Sequence, residues 1–223
     1  MRWRRFFIRD GRLHPAWRAF LFLPLYFLVP TTAGVVLGLA FYFATGRPLE
    51  ITPGSPFFIL LEVGSTVFLL LLVFIMRRFL DGKSFRRLGF EPGRLPVDAG
   101  HVLAGWAAVG PISPLPEALR ILSVQFLFLL TAAFHEELVF RGYFLQNLEE
   151  AFGTYWAVAV SSIIFSLFHL LNPHFSTFAF VNLVLAGVLF AAAYLLTRNL
   201  WLPTALHFSW NYFQGPVFGF PVS

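Results

Sequence analysis

Six polar residues interrupt the apolar carboxyl-terminal half of this chain at spacings that could support chemistry. They are Glu136, Glu137 and Arg141 in LLTAAFHEELVFRGYFL, His169 in SSIIFSLFHLLNPHF, and His207 with Asn211 in LWLPTALHFSWNYF. Glu137 and Arg141 are four apart and share a helical face, which suits an ion pair, whereas Glu136 is rotated by about 100° and has no partner at helical spacing. One carboxylate can therefore be neutralised in place while the other is left for work. His207 and Asn211 are again one turn apart. The plainer alternatives are an ion-pair staple, a buried histidine with a satisfied ring, and a hydrogen bond between helices.

His135-Glu136 invites comparison with the zinc-binding H-E-x-x-H helix, but the second histidine would fall on Val139, so that reading fails. The chain has no cysteine, which excludes a disulfide framework, a thiolate nucleophile and a Cys-type metal site. Catalysis would have to use His, Glu, Asn or Ser.

The elements that must position these groups are membrane helices. The chain has 223 residues, 58% hydrophobic and 12% charged, with 30 phenylalanines, and a mean hydropathy of +0.74. That is the composition of a polytopic membrane protein. A charge near the bilayer centre costs roughly 2.5–3.5 kcal/mol on insertion scales, so such groups usually face the protein interior, pair, or do chemistry. Segments of about 20 apolar residues are long enough to span, and about seven apolar segments lie near residues 16–44, 56–80, 97–112, 119–147, 154–171, 176–197 and 200–217. The expected fold is an all-α transmembrane bundle. Its parts are a basic interfacial leader over 1–15, amino-terminal helices and a basic loop over 16–118, and a helical core over 119–217.

The net charge of +5 sits at the ends of apolar runs, in Arg2, Arg4, Arg5, Arg9, Arg12 and Arg18 and again in Arg77, Arg78, Lys83, Arg86, Arg87 and Arg94. Such clusters orient helices, so they predict a cytoplasmic amino terminus rather than a nucleic-acid partner. With a rise of about 1.5 Å per residue, Glu136, His169 and His207 lie on the order of 16, 21 and 10 Å below the cytoplasmic face, close enough for tilted helices to bring them to one cavity open to the cytoplasm.

Taken in order, E-E-x-x-x-R, then F-x-x-x-H from Phe165 to His169, then H-x-x-x-N, each on its own apolar segment, closely resemble the CPBP family of intramembrane proteases. That family includes the CAAX prenyl endopeptidases of the Rce1 type and bacterial Abi proteins. The resemblance covers about residues 119–213, including FRGYF and NLWLPTALHFSWN, and DGKSFRRLGF resembles the basic loop that often precedes the family's core. It implies that Glu136 and His169 activate a water molecule, that His207 and Asn211 stabilise the oxyanion, and that Glu137, Arg141 and Phe165 support them. It also implies a membrane-tethered or carboxyl-terminal CAAX-like peptide substrate, while the short, Arg-rich and Phe-rich chain itself reads as a bacterial plasma-membrane protein. Glu136, His169 and His207 could supply a zinc set, and the same residues serve a metal-free glutamate mechanism.

Two other classes compete: a non-catalytic membrane scaffold or immunity-type factor, and a small transporter with a Glu/His proton relay. The full Glu/His/His/Asn set favours the enzyme over the scaffold. The missing internal repeat argues against the transporter. Oligomeric state is not legible.

Overall fold

The computed structural model describes residues 6–51, 55–90, 115–173 and 175–217. Seven helices follow in chain order among these residues: α1 (Pro15–Thr45), α2 (Pro56–Ile75), α3 (Leu115–Glu137), α4 (Leu145–Phe152), α5 (Thr154–Phe168), α6 (Thr177–Thr197) and α7 (Trp201–Tyr212). Wider π-helical turns extend α2 through Met76–Asp81, join α3 to α4 through Leu138–Phe144, and follow α7 over Phe213–Val217. Four helical stretches are long and apolar enough to cross a membrane: Pro15–Thr45, Pro56–Asp81, Leu122–Phe152 and Thr177–Thr197. The helices α5 and α7 are shorter, with 15 and 12 residues. The apolar segment read over 97–112 lies outside the described residues.

Local chemistry sets the boundaries. Pro15 and Pro56 open α1 and α2 at positions where the missing N–H costs nothing. Ser55 caps α2 by accepting from the Phe58 amide at 3.1 Å. Gly46 and Gly82 end α1 and the extended α2 at a φ of 64°. The leader folds into a small hairpin, β1 (Ile8–Arg9) against β2 (Arg12–Leu13), around an Asp10-Gly11 turn with φ of 51° and 74°. Asp-Gly at that position is a strong hairpin signal, and composition alone hid it behind the arginines.

Small residues let the helices approach, as expected where lipid supplies no hydrophobic drive for helix pairing. Gly34 and Gly38 of α1 face Leu61 and Phe57 of α2, and Gly64 of α2 faces Leu37. Between α5 and α6, a Cβ added at Gly187 would lie 2.9 Å from the Ser162 Cα, so this crossing requires glycine.

One end of the bundle is tied by charge. Asp81 is buried and accepts from Arg18 at 2.9 Å and Arg77 at 3.1 Å, with Tyr143 donating to the same carboxylate at 3.3 Å. Arg18 continues to Glu150 at 3.3 Å, and Lys83 pairs with the other Glu150 oxygen. Basic residues that serve as orientation signals in the sequence therefore also bind α1, α2 and α4 together. Arg198, just past α6, pairs with Glu149 at 2.6 and 2.9 Å at the start of the α4–α5 connection.

Candidate active site

Glu136 and Glu137 are the last residues of α3, where the chain enters the π-helical Leu138–Phe144 stretch. All seven residues of that stretch are buried. Gly142 within it permits close approach of the α7 entry, since a Cβ there would sit 3.2 Å from a Leu200 methyl. Wide turns of this kind are frequent at functional sites because they re-aim side chains without ending the helix.

The ion pair implied by the spacing of Glu137 and Arg141 is formed: Arg141 Nη1 donates to Glu137 Oε1 at 2.9 Å, with both side chains almost fully buried. Arg141 Nη2 also donates to the Gly187 carbonyl at 3.1 Å. The guanidinium lies over the rings of Phe165 and Phe190, 4.6 and 5.2 Å from their centroids. Its charge is thus met by a carboxylate, a carbonyl and two aromatic faces, a set able to hold a cation away from water.

Glu137 does more than neutralise Arg141. His207 Nδ1 donates to the same Oε1 at 2.8 Å, while His169 Nδ1 donates to the Phe165 carbonyl at 2.9 Å. Carboxylate and carbonyl oxygens only accept, so these partners assign the proton of each neutral ring to Nδ1 and leave the Nε2 lone pairs free. Both lone pairs face Glu136: each Nε2 is 3.8 Å from Glu136 Oε2. That oxygen is buried and makes no hydrogen bond among the described residues, although the Glu136 side chain as a whole is 28% exposed.

Aromatic rings hold the imidazoles in place. His207 stacks on Phe190 at 4.8 Å and 15°, and Phe165 contacts both His169 and His207 at centroid distances of 4.8 and 6.0 Å. His169 occupies the carboxyl-terminal cap of α5, so its ring turns back over the last helical turn. Three of the sequence-predicted residues, Glu136, His169 and His207, therefore meet from three helices. Asn211 is one turn beyond His207 on α7, partly exposed, and makes no side-chain hydrogen bond among the described residues. His135 points elsewhere and contacts Thr66 of α2 through Nε2 at 2.7 Å.

Sequence reasoning missed the bond from His207 to Glu137, the Gly187 carbonyl and the Phe190 ring. Helical spacing reports only neighbours within one helix, and the part of α6 around Gly187 and Phe190 reads as apolar.

Zinc holds nitrogen and oxygen ligands at about 2.0–2.2 Å, which sets neighbouring ligand atoms of a tetrahedral site about 3.5 Å apart. The 3.8 Å separations from Glu136 are wider. Among the described residues no three His, Asp or Glu side chains form a group that could hold a metal ion. No step below is routed through a metal.

Residues 118–213 match the family of type II CAAX prenyl endopeptidase Rce1-like proteins. No curated protein and no solved structure matches the chain. The matched segment carries every residue of the Glu136 cluster. The match is to an Rce1-like domain over this segment and is consistent with the CPBP family of membrane-embedded proteases.

Proposed function

We propose that the protein is an intramembrane endopeptidase that hydrolyses a peptide bond of a membrane-associated substrate, or one near its carboxyl terminus, with water activated by Glu136 and His169. The observation that supports this reading best is the convergence of two fixed imidazole lone pairs on one carboxylate oxygen, each at 3.8 Å. That separation is too long for a direct hydrogen bond and suits a shared water, held by one acceptor while another takes its proton.

In this mechanism Glu136 Oε2 removes a proton from the water as its oxygen attacks the carbonyl carbon. The carbonyl π pair moves to oxygen, giving a tetrahedral oxyanion. Glu136 then delivers the proton to the amide nitrogen as the C–N bond breaks, and the products are a carboxylic acid and an amine. His169 positions the water. His207, its ring held by the 2.8 Å bond from Nδ1 to Glu137, faces the developing oxyanion. Asn211, one turn along, supplies an uncharged donor to the same oxygen.

Purified protein in vesicles with a mixture of membrane-derived peptides provides the test. New peptide amino termini should appear with the wild type and not with Glu136→Gln. The same termini from both proteins would overturn the reading.

A further inference from the structure

A groove of about 550 Å³ runs along α6 from Phe178 to Phe190, walled on its other sides by the Asn172–Phe175 turn and by Trp210 and Gln214 at the end of α7. Its inner end is Phe190, the ring that stacks on His207. Trp210 and Gln214 flank Asn211 in sequence, so the groove and the candidate oxyanion donors share one edge of α7. From Phe178 to Phe190 the helix rises roughly 18 Å, the reach of five or six residues of extended chain.

The lining has two features that select an occupant. Among the described residues it contains no charged side chain. It also contains Asn182, an exposed amide on a helix long enough to span the membrane, with no side-chain hydrogen bond among the described residues. An acyl chain offers such an amide no partner, and hydrocarbon leaves it unsatisfied. A peptide backbone offers a donor and an acceptor at every residue.

We propose that this groove seats the substrate as an extended, uncharged, apolar peptide segment laid along α6, with Asn182 pairing to its backbone and Phe190 as the joint where the segment turns to Glu136. The inference rests on the peptidase reading and adds the shape and charge of what the enzyme takes.

The probe is a ten-residue uncharged apolar peptide, fluorescently labelled for binding to the Glu136→Gln protein and internally quenched for cleavage by the active protein. Asn182→Leu, which suits a lipid-facing helix, and Leu189→Trp, which fills the groove, should each weaken binding and raise KM by roughly tenfold with kcat within about twofold. Leu196→Trp, on the same helix but outside the groove, should change neither, and a peptide with a central Asp should bind at least about tenfold more weakly. Absence of peptide binding, unchanged binding in both groove variants, or displacement of the peptide by added phospholipid would overturn the proposal. Groove-dependent binding without cleavage would leave the groove standing and remove the peptidase reading. Cleavage indifferent to both groove variants would do the reverse.

Discussion

His207 donates its Nδ1 proton to Glu137 Oε1 across 2.8 Å, linking two residues seventy positions apart. Arg141 donates to the same oxygen at 2.9 Å. One carboxylate oxygen therefore balances a buried cation and aims an imidazole, so the pair that looks like a packing staple in the sequence also sets the geometry of the candidate site.

This double duty separates stability from turnover. Removing one partner of a buried ion pair leaves an uncompensated charge and costs on the order of 3–5 kcal/mol. Glu137→Gln and Arg141→Ala should each lower Tm markedly, and Glu137→Gln/Arg141→Met should recover much of that loss. The double variant should nevertheless remain at least about 10²-fold slow, because the carboxylate that orients the His207 ring through Nδ1 is gone. Recovery of both Tm and kcat would reduce Glu137 to a packing residue.

Glu136→Gln and His169→Ala should abolish cleavage while leaving the melting profile close to wild type. Neither removes a buried charge pair: Glu136 Oε2 makes no hydrogen bond among the described residues, and the His169 ring bonds to the Phe165 carbonyl of its own helix. Near-normal cleavage by either variant would refute the assignment of base and water-positioning group.

Much of this was legible in the sequence because it depends on local patterns. Apolar length gave the helices α1, α2 and α6, and i,i+4 spacing gave Glu137 with Arg141 and His207 with Asn211. The opposite rotation of Glu136 followed from the helical period alone. What could not be read is the set of contacts between helices. Nothing in the sequence joins His207 to Glu137, or places Phe190 against His207, because no polar residue of α6 near Phe190 marks that face. The Asp81 cluster was hidden for another reason: Arg18 and Arg77 lie at helix ends, where basic residues are expected whether or not a buried acid waits for them.

That cluster makes its own prediction. Asp81→Asn would leave Arg18 and Arg77 without a counter-charge in a buried position, at a cost of about 3–5 kcal/mol. Tm should fall by several degrees, whereas kcat of the folded fraction should stay within about threefold, since Asp81 touches none of the Glu136 cluster. Thermal scans beside activity normalised to folded protein would show this, and a selective loss of kcat would instead tie the charged end to the site.

The metal question has a direct measurement. In the metal-free mechanism proposed above, exhaustive chelation should leave the cleavage rate unchanged, and elemental analysis should find far less than one zinc per chain. Loss of activity on chelation, restored by added zinc and absent in His207→Ala, would reassign His207 from oxyanion support to metal ligand.

Asn211 acts, in this mechanism, only once the oxyanion forms. It sits one turn from His207 and makes no competing side-chain hydrogen bond among the described residues, so its amide is available to a developing oxyanion. A donor used only in the transition state lowers kcat without weakening substrate binding. Asn211→Ala should therefore reduce kcat by roughly 10²–10³-fold with little change in KM. Asn211→Asp should be slower than Asn211→Ala although it nearly preserves volume, because it sets a carboxylate beside the charge that must form. Steady-state kinetics on an internally quenched membrane peptide decides the matter: a rise in KM with kcat preserved would make Asn211 part of the groove edge, together with Trp210 and Gln214, rather than a donor to the reacting oxygen.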